Sequence, residues 1–152
     1  MVFTVMTHSD AGVDATVIAQ IHQLYGRQSH LIDGGAAGEW AQTFTPDGEF
    51  ISPSYPAPVV GSAELTVFAE KFTAAAAAAG EVHRHVITNL DVTSGADDTV
   101  LHVRAYLQIV ATTTTTAGGW SRLVRFTTIT DRLVRHEHTW RIARRTVHRD
   151  DT

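Results

Sequence analysis

Two stretches of the sequence hold residues able to move protons. In Glu81-Val82-His83-Arg84-His85-Val86-Ile87-Thr88-Asn89-Leu90, an extended strand places His83, His85, Ile87 and Asn89 on one face. Val82, Val86, Leu90 and Val92 share the other. One face thus carries two imidazoles and a carboxamide, a pattern that also suits an ordinary strand with its polar side in water. Earlier in the chain, Asp33 ends an apolar helical stretch just before Gly34-Gly35. A carboxylate there opposes the helix macrodipole, so the residue asks for a reason other than helix stability. An imidazole titrates near neutral pH, and a carboxylate within hydrogen-bond reach fixes its tautomer and stabilises the imidazolium. Such a couple removes a proton beside a ketone and hands it on as hydroxide leaves or a ring closes, an assistance of roughly 10² to 10⁴ in rate. The candidate couple is His85 with Asp33. Candidate donors to the developing enolate oxygen are Tyr25, Asn89, Ser121 and Arg122. This chemistry requires no metal, flavin or other cofactor.

Other features carry less. His136-Glu137-His138 has the look of a metal-ligand cluster, but it falls in the turn between the last two strands and shows no third ligand, so no metal is expected. His83 reads as a rim or surface residue. Trp40, Phe44, Phe50, Phe68 and Phe72 read as core or pocket wall. The sequence has no glycine-rich phosphate loop and no Gly-x-Ser-x-Gly elbow, which removes nucleotide-dependent and serine-hydrolase chemistry.

The elements that must position these residues fit one domain of 152 residues, enough to bury a core and enclose a pocket. There is no cysteine, so thiol nucleophiles, iron–sulfur clusters and disulfide scaffolds are excluded. The net charge is −4, and the arginines gathered near the C-terminus lie in strand-like sequence; no nucleic-acid partner is expected. No apolar run approaches the roughly 20 residues that span a bilayer, and no basic residue precedes Arg27, which argues against a secretory signal. The expected location is the cytoplasm.

Residues 1–12 read as a leader and 13–149 as the domain. Asp14 caps a helix carrying Val17, Ile18, Ile21, Leu24, Tyr25, Leu31 and Ile32 at helical spacing. A second helix is expected from about Ala37 to Thr43, carrying Trp40 and Phe44 inward. Thr45-Pro46-Asp47-Gly48 reads as a turn before a short strand, Glu49 to Ser52. Three prolines then make a loop. A third helix follows, with Ser62 as cap and Gly80 as stop. Residues 82–92, 99–111, 120–130 and 132–148 are rich in β-branched and aromatic types and read as antiparallel strands. Helices first and long strands afterwards predict an α+β fold, three helices on one face of a curved sheet.

Several strings together resemble the NTF2-like superfamily, in particular its SnoaL-like branch. They are Leu31-Ile32-Asp33, Glu39-Trp40-Ala41, Phe44-Thr45-Pro46-Asp47-Gly48, Gly61, Arg84-His85-Val86-Ile87-Thr88-Asn89, and Trp140-Arg141-Ile142 with Arg144 to Asp150. The resemblance implies a cone: a strongly bent, mainly antiparallel sheet wrapped on three helices, with a pocket at the wide end. It implies that Asp33 faces that pocket and partners His85, that Asn89 lies in the cavity, and that the protein dimerises through the outer face of its sheet. Members include ketosteroid isomerases, polyketide cyclases, scytalone dehydratases, limonene epoxide hydrolases and small subunits of ring-hydroxylating dioxygenases, so fold alone does not define function. The strings look closest to polyketide tailoring proteins and scytalone dehydratase. The implied activity is a cofactor-independent cyclase, dehydratase or isomerase acting on a hydrophobic, aromatic polyketide-like substrate, with Tyr25, Trp40, Phe50, Phe68, Asn89, Ser121 and Arg122 binding it. The alternatives are a non-catalytic dioxygenase small subunit and an epoxide hydrolase or cyclase. Two departures stand out: Ser121 and Arg122 lie near where the family carries a second catalytic histidine, and Ile32 replaces a tyrosine that usually precedes the aspartate.

Overall fold

The structure, a computed structural model, describes residues 12–115 and 117–151; the leader expected over residues 1–12 lies outside these apart from Gly12. Helix α1 (Ala15–Asp33) starts where the sequence says, with the Asp14 carboxylate accepting from the Thr16 N–H at 2.8 Å. Its buried face is Ile21, Tyr25, Gln28, Ser29 and Ile32. Gly34 ends it, its N–H bonded to the His30 carbonyl, and Gly35 at φ +80° turns the chain. Helix α2 spans Ala37–Ala41, two residues shorter than expected.

Strand β1 (Phe44–Ile51) holds the largest departure. Phe44 opens this strand instead of following a helix, and the Thr45-Pro46-Asp47-Gly48 turn is a bulge inside it. The strand runs parallel to β6 (Thr139–His148), pairing Phe44 with Ile142 and then Glu49 with Arg144. Pairing on both sides therefore absorbs a turn that local chemistry would use to end the strand. Gly48 is required there: a Cβ would sit 2.8 Å from Phe44 Cβ and 3.1 Å from the Ile142 carbonyl oxygen.

After the two-residue β2 (Val59–Val60), helix α3 spans Gly61–Ala78. Its cap is not Ser62, which lies within the first turn. The Val60 N–H instead donates to the Glu64 carboxylate at 2.9 Å, so a side chain inside the helix supplies the acceptor. Strands β3 (Glu81–Ser94), β4 (Val100–Thr113) and β5 (Ser121–His136) complete a six-stranded sheet in the order β2-β1-β6-β5-β4-β3. Every pairing except β1 with β6 is antiparallel. The helices pack on one face of this mixed, curved sheet, the α+β cone that the sequence predicts.

Two strand readings change. No break occurs at residue 131: β5 passes straight through Asp131, which is buried because Arg145 of β6 lies directly across from it. The chain reverses at Glu137 and His138, where the sequence places the turn between the last two strands, both at positive φ, as a tight hairpin demands. In β3, Asn89 adopts φ +57° and the register with β4 slips between Thr88 and Asp91. This bulge reverses the alternation beyond it, so Leu90 and Val92 pack on the core with the His85 face rather than opposite it. The core centres on Ile21, Trp40, Phe44, Leu65, Ile129 and Ile142. Among the described residues no helix is long and apolar enough to cross a membrane.

Because the atoms around Gly48 are mostly backbone and a strand neighbour's Cβ, Gly48→Ala should destabilise the fold by about 1–3 kcal/mol, read as a lower urea midpoint at unchanged m-value.

Candidate active site

Asp33 is the last residue of α1, where the C-terminal carbonyls disfavour a negative charge. Its carboxylate is held from the sheet instead. The His85 backbone N–H donates to both oxygens, at 3.0 and 3.2 Å, and Nδ1 of the same residue lies 2.7 Å from Oδ1. A carboxylate can only accept from Nδ1–H, which leaves Nε2 with its lone pair free for a substrate proton. Both side chains are about nine-tenths buried, at 9% and 11% exposure. The Phe72 ring covers the imidazole at 4.9 Å between centroids.

His85 forms part of the wall of a cavity of about 200 Å³ between the helices and the inner face of the sheet. Asp33 stands behind the ring and does not line the cavity. An apolar cavity of about 150 Å³ holds benzene, so this one accepts a somewhat larger ring system. Its wall is aromatic on the α2–α3 side, where Trp40 stacks on Phe68 at 5.8 Å and Phe68 meets Phe50 at 4.8 Å. All three of these sequence candidates line the space. The half-exposed Tyr55 packs edge-on against Phe68.

None of the four candidate oxygen donors lines the cavity. Tyr25 is buried, and its hydroxyl donates to the Asp131 carboxylate. Burial first, and then the Asp131 charge, push its pKa well above the usual tyrosine value. Asn89 is exposed, turned away by the β3 bulge. Ser121 is exposed and hydrogen-bonded to Thr112 at 2.6 Å. Arg122 reaches across β4 to Glu81 on β3 at 2.6 Å, with nearly half its side chain in solvent.

Other residues occupy the places these were to fill. His83 lies in the cavity wall rather than at a surface: Phe72 packs edge-on to its ring at 5.5 Å, and Nε2 meets Glu81 at 2.8 Å. His83, and then Arg122, hold the Glu81 carboxyl below its ordinary range. The alternation that selected His85 places His83 on the same face, so this position was readable. The sequence reading missed Arg145, Gln28, Ser29 and Thr127, all of which line the cavity. Arg145 is 4% exposed and grips the fully buried Asp131 through Nε at 2.9 Å and Nη2 at 2.7 Å. Its guanidinium lies over the Tyr25 ring at 5.5 Å. The available signal was an arginine and an aspartate each set among apolar residues in facing strands. Among the described residues no group of His, Asp or Glu is arranged to hold a metal ion.

A bent mixed sheet, three helices and a buried His–Asp couple in an oily chamber define the class of the protein. The chain belongs to the SnoaL-like family, whose domain model matches residues 13–146. Among solved structures it is similar to Aln2 from a Streptomyces species, at 27% identity and TM-score 0.78, covering 91% of this chain and 94% of that one. It is also similar to a Catenulispora acidiphila protein in complex with S-DNPA, at 26% identity and TM-score 0.76, covering 91% and 96%. An NTF2-like protein with a cystatin-like fold from Novosphingobium aromaticivorans shares the fold at 20% identity and TM-score 0.74, covering 92% and 93%. No curated protein matches the chain.

Removing one partner of a buried ion pair strands the other charge. Asp131→Ala should cost about 3–5 kcal/mol, and the double variant Asp131→Ala with Arg145→Met should recover part of that loss; chemical denaturation of both measures the difference.

Proposed function

We propose that the protein is a cofactor-independent cyclase or dehydratase that works by proton transfer on a hydrophobic, oxygenated aromatic compound of the polyketide type. The observation carrying this reading is the Asp33–His85 couple, with Nδ1 tied to the carboxylate and His85 in the cavity wall. Family membership supports it, because the SnoaL-like branch resembles polyketide cyclases and scytalone dehydratases.

The mechanism follows from the tautomer. Nε2 takes a proton from a carbon beside a carbonyl, and the C–H electron pair moves into the enolate. Asp33 stabilises the resulting imidazolium, whose cost in an apolar chamber would otherwise be high. In an elimination the enolate collapses, the β-carbon–oxygen bond breaks, and the imidazolium proton leaves with the hydroxide as water. In a cyclisation the enolate carbon attacks a second carbonyl of the same molecule, and the proton goes to the new alkoxide. Both routes return His85 to its starting form. Arg145, on another part of the cavity wall, offers a positive charge to a substrate oxygen.

The protein acts as a homodimer in this reading, with the outer face of the sheet as its interface. Val86, Tyr106, Leu123 and Phe126 are exposed there on neighbouring strands, with Tyr106 and Phe126 in ring contact at 5.7 Å. A two-fold axis through this patch would bury the same residues on both copies. Phe126→Asp should convert a dimer to a monomer by light scattering; a wild-type chain that is already monomeric sinks this part of the reading.

Catalysis can be tested without the natural substrate. Exchange of the acidic C1 protons of 2-tetralone in D2O, followed by NMR, reports a general base directly. His85→Ala should slow protein-dependent exchange by roughly 10² to 10⁴, and Asp33→Asn should slow it by less, with the backbone bond from His85 retained. Equal exchange by wild type and His85→Ala would remove the proposed base.

A further inference from the structure

Gln28 sits on the buried face of α1 at 1% exposure and lines the cavity. Its Nε2 lies 2.7 Å from the Thr43 hydroxyl oxygen, and that hydroxyl lies 2.6 Å from the Trp40 carbonyl oxygen. A carbonyl can only accept, so the Thr43 hydrogen points to Trp40, and the Thr43 oxygen must receive from Gln28. The amide orientation is thereby fixed by bonding logic. The consequence is an Oε1 that is buried and has no partner among the described residues. A buried acceptor that no protein group meets is unusual.

Arg145 offers the complementary group. With Nε and Nη2 committed to Asp131, Nη1 is the donor not used on that carboxylate. Tyr25, under the guanidinium, is one turn before Gln28 on the same face of α1. Thr43, the partner of Gln28, is bonded through its carbonyl to the Ile142 N–H of β6, the strand that carries Arg145. Gln28 and Arg145 both line the cavity, the one with an orphaned acceptor and the other with a guanidinium held by Asp131 over Tyr25. Along α1, Gln28 stands about 7.5 Å from Asp33, at 1.5 Å per residue.

We propose that Gln28 and Arg145 form a hydroxyl-reading pole, at which a substrate phenol or enol accepts from Arg145 and, on a small shift of the carboxamide that uncovers it, donates to Gln28 Oε1. This rests on the acid–base reading above and adds its substrate class: a ring system that carries a free hydroxyl. Gln28 is then a specificity residue. A bracing role for the side chain requires only Nε2 and leaves Oε1 without purpose.

Titration calorimetry with 2-naphthol, 2-methoxynaphthalene and 2-fluoronaphthalene tests the pole, since only the naphthol donates. The wild type should bind naphthol roughly tenfold more tightly than either analogue. Gln28→Leu and Gln28→Met should bring the three affinities together. His85→Ala should keep the preference, because the imidazole lies at the other end of the site. No preference in the wild type, or a preference that survives loss of Gln28, overturns the proposal. A preference lost in His85→Ala but kept in the Gln28 variants also overturns it, by placing the naphthol on the imidazole. The readout is binding, so it stands or falls separately from the tetralone exchange that tests the base.

Discussion

The hydrogen bonds that the Asp33 carboxylate accepts from His85 hold the site together. The side chain sits at the end of α1, where the helix field works against it, and backbone and ring donors from β3 offset that field. The same contact joins helix to sheet, selects the imidazole tautomer and orients Nε2. Fold and chemistry therefore meet in one carboxylate.

A second buried polar assembly, Tyr25 with Asp131 and Arg145, has a different character. Its charges cancel, it spans α1, β5 and β6, and its guanidinium reaches the cavity. Replacing such a pair by apolar residues is often neutral or stabilising, so stability alone does not account for it. In the proposed reading the pair orients a guanidinium at the chamber wall toward substrate oxygen. The two assemblies divide the cavity into an imidazole side on β3 and a guanidinium side on β6, with aromatic rings between.

The sequence disclosed what depends on local pattern. Periodicity gave α1 and its cap, the strand character of the C-terminal half, and the face shared by His83 and His85. Features set by pairing were out of its reach. The Pro46-Asp47-Gly48 turn looks like a strand boundary until β6 is seen to pair on both sides of it. Asp131 looks like a break until Arg145 stands opposite. Alternation puts Asn89 on the His85 face, and the resemblance puts it in the cavity, because neither announces the bulge that turns it outward. Gln28 carried no signal of its own, since glutamine in a helix usually faces water, and Arg145 was readable only together with Asp131.

The extra residue at Asn89 lets one strand answer to two masters. Upstream of it, side chains are set by what the chamber must hold; downstream, by what the hydrophobic interior must fill. The kink works as a phase adjuster between these demands, so either half can drift in composition without rotating the other. Such decoupling offers one route by which related chains could change their chemistry while keeping an unchanged scaffold.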